Sequence, residues 1–71
     1  MKPVELHIVV NGSRESVASP KTIGQLLVDA GWKASQVVVE YNGAVIPRHQ
    51  LAEICLNDGD RLEIVVPVAG G

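Results

Sequence analysis

Apolar and polar residues alternate with a period of two near both ends of the chain. Val4, Leu6, Ile8 and Val10 interleave with Glu5, His7 and Val9, and Leu62, Ile64 and Val66 interleave with Arg61, Glu63 and Val65. That period sends one set of side chains to one face of a strand, so the pattern predicts a first and a last strand that each show one face to a core. Asn11-Gly12 and Asn42-Gly43 supply the positive φ of tight turns, which makes Ser13 to Val17 the return arm of a first hairpin and Ala44 to Ile46 the return arm after a strand from Val37 to Tyr41. Ser13 to Val17 is the more polar arm and reads as an edge strand. Pro47 has no N–H for a ladder and ends the fourth strand. Between the hairpins the spacing changes to that of a helix: Thr22 is the N-cap, Gln25 reaches back to it, and Leu26, Leu27 and Ala30 follow in phase with Ile23. Gly31 closes the helix as a left-handed C′ residue and Trp32 covers its end. Leu51, Ile54 and Cys55 recur at helical spacing in a stretch too short for a helix, which predicts a helical turn inside a loop, and Asn57 to Asp60 form the turn before the last strand.

Two hairpin-like pairs separated by one helix have one economical packing. The helix covers one face of a mixed sheet, and a right-handed crossover places the first and last strands side by side. The expected fold class is therefore α+β, a β-grasp sheet of about five strands on one helix. Val plus Ile account for seventeen of 71 residues, a β-branched excess that suits such a sheet. A chain of this length supports one small core, so the expected organisation is one domain over 1–67 followed by a flexible tail over 68–71.

Composition narrows the function classes. Six Lys and Arg against eight Asp and Glu give a formal net charge of -2, and Trp32 and Tyr41 are the aromatic residues. A phosphate backbone selects for a basic surface and single-stranded bases for an aromatic platform, so nucleic acid is not an expected partner. No apolar run approaches the roughly 20 residues of a membrane helix, so no membrane partner is expected. One cysteine and no signal-like opening point to a reducing, cytoplasmic setting.

Little in the body of the chain carries chemistry. His7, His49 and Cys55 have no metal-ligand spacing, so no metal site is expected, and both histidines read as solvent-facing. Cys55 between Ile54 and Leu56 reads as a buried, inert thiol, dispensable for any chemistry. Glu53, Asp58, Asp60 and Glu63 form either a solvated rim or a field that steers the C-terminus toward a basic cleft. The run Pro67, Val68, Ala69, Gly70, Gly71 tapers in side-chain size; a tail without Cβ atoms threads a narrow channel and presents a carboxylate inside another protein. A frayed terminus is the plainer reading of the same residues.

The runs Val39 to Gly43, Ile46-Pro47-Arg48, Leu56 to Val65 and the terminal Gly70-Gly71 resemble the ThiS family of ubiquitin-like sulfur carriers in thiamin biosynthesis. The likeness spans nearly the whole chain, while Pro67, Val68, Gly70 and Gly71 also resemble the tail of the molybdopterin synthase small subunit. The resemblance implies a non-enzyme whose Gly71 carboxylate is adenylated by a ThiF-type adenylyltransferase using ATP and Mg²⁺. Sulfur from a cysteine-derived persulfide then leaves a C-terminal thiocarboxylate for thiazole synthase. No cofactor is bound by the chain itself. Sulfur delivery to molybdopterin or tRNA, isopeptide-forming protein modification and a non-covalent binding module are the alternatives. A carrier docks through one patch: His7, Val9, Val38 and Val65 among Glu5, Glu40 and Glu63 form either that apolar island or a scatter of exposed valines.

Overall fold

A computed structural model describes residues 4–68. The strands β1 (Val4–Val10), β2 (Ser13–Ser19), β3 (Val38–Tyr41), β4 (Ala44–Ile46) and β5 (Arg61–Val65) form one sheet in the order β2-β1-β5-β3-β4, with β1 and β5 parallel and the other neighbours antiparallel. The helix α1 (Ile23–Asp29) follows β2, and two 3₁₀ turns stand at Ala34–Gln36 and Arg48–Gln50. This is the mixed five-stranded sheet on one helix that the hydrophobic pattern predicts, with β2 as an edge.

The core is the set of inward residues from both layers. Leu6, Ile8, Val39, Leu62 and Ile64 come from the sheet, Ile23, Leu26 and Leu27 from α1, and Leu51 and Leu56 from the loop before β5. Val4 and Val66 share the alternating phase but lie at the sheet margin and are exposed, Val66 because β5 stops at Val65. Ala30 is likewise exposed, as the C-cap residue.

Both ends of α1 are closed by local chemistry. Thr22 accepts from the Gln25 N–H at 3.1 Å while the Gln25 side chain accepts from the Thr22 N–H at 2.9 Å, the reciprocal capping box. The two remaining N-terminal donors of the helix find the loop before β5: Ile23 donates to the Ile54 carbonyl and Gly24 to the Leu51 carbonyl. At the other end Trp32 donates to the Leu27 carbonyl and Gly31 to that of Val28, with Gly31 at φ +82°, and the Trp32 ring packs on the core.

Cys55 corrects the sequence reading. It forms an isolated bridge with Thr22, and its side chain is exposed. Its apolar neighbours Ile54 and Leu56 suggested burial, but residues 51–55 do not form a helix that would turn all three inward. The extended bridge turns Cys55 outward while Leu56 goes in.

Candidate functional site

The expected site is the end of the chain and the surface around its root. Gly70 and Gly71 lie outside the described residues, as do residues 1–3 and Ala69; of the tail assigned to 68–71, Val68 is described and is almost fully exposed. The chain leaves the sheet at Val65, so whatever anchors β5 positions everything beyond it.

That anchoring is polar as well as apolar. The β1–β5 seam pairs Val9 with Arg61 and Val10 with Leu62, and side chains lengthen it at both ends. On one side Asp58 Oδ1 accepts from the His7 N–H at 2.7 Å. On the other, Asn11 Oδ1 accepts from the Ile64 N–H at 2.7 Å and Asn11 Nδ2 donates to the Ile64 carbonyl at 3.2 Å. On the opposite flank of β5, Asn42 Oδ1 accepts from the Arg61 N–H at 2.8 Å. Asp60, placed by spacing in an acidic rim, is instead buried at 7% exposure. It accepts from the Tyr41 hydroxyl at 2.5 Å, the Asn57 N–H at 2.7 Å and Asn42 Nδ2 at 3.2 Å. The bond to Asp60, and then burial, raise the Tyr41 pKa above its ordinary value. Asp60 is thus a structural hub, while Glu53, Asp58 and Glu63 remain exposed.

The four residues expected to form a docking island share the open face of the sheet but not one patch. Val65 faces Val38 across the β3–β5 seam, both about half exposed. Val9 is level with Arg61, four residues back along β5, which separates it from Val65 by roughly 13 Å at about 3.3 Å per residue. Arg14 flanks Val9 on β2, and Glu40 lies directly opposite Glu63 between the two valine positions. His7, largely exposed, is near Asp58, with Nδ1 to Oδ1 at 3.5 Å. The parallel offset of β1 against β5 splits the island, and a strand-by-strand reading of alternation carries no information about that offset.

No three His, Cys, Asp or Glu side chains converge among the described residues, and no helix there is long and apolar enough to cross a membrane. What the described surface offers is a small folded body whose last described residues, Val66 to Val68, run exposed beyond β5.

A helix laid on a mixed sheet with parallel first and last strands defines the ubiquitin-like β-grasp class. Comparison with solved structures agrees: the crystal structure of thiamine biosynthesis protein ThiS from Geobacter metallireducens superposes with a TM-score of 0.81 at 30% identity, covering 93% of this chain and all of that one. A solution structure of a thiamine biosynthesis protein from the same organism gives 0.77 at 30% identity, over 93% of this chain and 88% of that one. The ThiS family model matches residues 5–71, and the chain belongs to the ThiS family of sulfur carriers. Among curated relatives, a thiazole synthase from Paramagnetospirillum magneticum is 35% identical over 66 residues, 93% of this chain but 20% of that protein. The ycf40 protein of Pyropia yezoensis is 30% identical over 93% of both chains.

Proposed function

We propose that the protein carries sulfur for thiazole formation as a thiocarboxylate on Gly71, and that it is a cosubstrate of its partners with no catalysis of its own. The observation that carries this reading is the ThiS match, which runs through the terminal Gly70-Gly71 pair. A terminal carboxylate with a reference pKa of about 3.3–3.7 is ionised at neutral pH and is a poor electrophile, so it needs a leaving group before sulfur adds. A carboxylate oxygen attacks the α-phosphorus of ATP and pyrophosphate departs. The terminal sulfur of a cysteine-derived persulfide then attacks the acyl carbon and AMP departs, and a thiol cleaves the resulting S–S bond to free the thiocarboxylate. ATP, Mg²⁺ and the stabilisation of developing charge belong to the ThiF-type adenylyltransferase.

Thiazole synthase is the acceptor. The thiazole synthase of P. magneticum contains a segment 35% identical to this chain, which is what a carrier linked to its own acceptor has in sequence. The molybdopterin-like feature is confined to Pro67 and Val68, and a tail is a weaker determinant of partner choice than a folded face. The test gives the thiocarboxylated protein to purified thiazole synthase and, separately, to the large subunit of molybdopterin synthase. Loss of terminal sulfur with thiazole synthase alone is the expected outcome; sulfur transfer solely to a molybdopterin precursor overturns this assignment.

A further inference from the structure

Where the chain leaves β5 it borders an open hollow of about 510 Å³, whose lining includes Ser35, Val38, Arg48, Val66 and Pro67. The apolar part is solvent-facing: Val38 is 40% exposed and Val66 is 51%. Arg48 stands beside it, held by Pro47 and the 3₁₀ turn that follows. A guanidinium has five N–H donors, and the hydrogen bond that Arg48 makes from its side chain is one of 3.4 Å to the Ser35 carbonyl. The ion pairs among the described residues are His7 with Asp58 and Lys21 with Asp29, so Arg48 has no carboxylate partner there. Two positions along from Val38 and Val65 on the same face, Glu40 lies opposite Glu63. The ground beside the tail root therefore joins an apolar floor to a cation that has no carboxylate partner among the described residues.

We propose that this hollow docks the adenylyltransferase and that Arg48 pairs there with a carboxylate side chain of that enzyme, set in an apolar surround. The inference rests on the carrier reading and adds the place and chemistry of its first contact. Pro67 lines the hollow, and four residues separate it from the Gly71 carboxylate, at most about 14 Å at about 3.6 Å each. An enzyme that holds Gly71 at its nucleotide consequently covers the hollow. A nucleotide phosphate is not the anion assigned to Arg48: adenylation puts the nucleotide at Gly71, four residues beyond Pro67 in the sequence. An Arg–carboxylate pair partly screened from water by Val38, Val66 and Pro67 fixes the orientation in which the tail enters.

The experiment measures tail-dependent ATP–pyrophosphate exchange by purified adenylyltransferase with wild type, Arg48→Ala and Arg48→Glu, each shown to be folded by its amide NMR spectrum. Arg48→Glu is expected to lower kcat/KM roughly tenfold or more through KM, Arg48→Ala by less, and the salt dependence of the wild type is expected to flatten in both. A lysine introduced at the partnering carboxylate of the enzyme restores Arg48→Glu. Folded Arg48→Glu with kcat/KM within about twofold of wild type, or a loss confined to kcat, overturns the proposal. Failure of the wild type to support exchange counts instead against the carrier reading itself.

Discussion

Asp60 and Cys55 trade the environments that their neighbours in sequence suggest. Asp60 precedes β5 beside exposed Asp58 and Gly59, yet Tyr41, Asn42 and Asn57 close over it, since one carboxylate satisfies three donors from two segments. Nothing in the spacing of acidic residues separates such a hub from a solvated rim; Tyr41 and Asn42, nineteen and eighteen residues away, were the missing signal. Removing the carboxylate strands those donors, so Asp60→Ala is expected to cost about 2–3 kcal/mol in urea unfolding, and a cost below about 0.5 kcal/mol contradicts the hub. The same bond gives a pH dependence. Because the folded Tyr41 pKa lies above the unfolded value of 10.0, its contribution is complete below that value and is lost as pH rises through the folded one. Between about pH 8 and about pH 11 wild type is therefore expected to lose more stability than Tyr41→Phe, and equal losses would remove the assignment.

At the scale of elements, the Asn-Gly pairs do more than turn the chain. Asn11 and Asn42 adopt φ of +51° and +50° ahead of Gly12 and Gly43 at +81° and +88°, the left-handed pair of a tight hairpin. Each then places its side-chain amide on the backbone of β5, so the turns of both hairpins grip the strand that ends in the tail. The turns were legible from Asn-Gly and the helix from Thr22 and Gln25, because local chemistry sets them. The grip was not, because it depends on the register of strands more than fifty residues apart for Asn11. Asn11→Gly tests it cleanly, since glycine keeps the positive φ and removes the amide. It is expected to cost about 1–2 kcal/mol and to raise hydrogen exchange at Ile64; unchanged exchange at Ile64 contradicts the grip.

For the whole molecule, the sheet order, the core and the family all follow from alternation, capping and the runs from Val39 to Val65, whereas the docking face does not. His7 and Val9 stand at one end of the open face and Val38 and Val65 at the other, with Arg61, Glu40 and Glu63 between them. The Val38–Val65 end also holds the tail root. On the proposed function, the body presents Gly71 for conversion to a thiocarboxylate. The direct measurement is the intact mass of a Cys55→Ala protein, which removes the exposed thiol as a second sulfur acceptor, after incubation with ATP, Mg²⁺, adenylyltransferase, persulfide donor and a thiol. The expected result is a gain equal to the replacement of one oxygen by sulfur, located in the C-terminal peptide and absent when ATP is omitted. No gain in the folded variant, or sulfur that adds without replacing oxygen and appears solely when Cys55 is present, would contradict it.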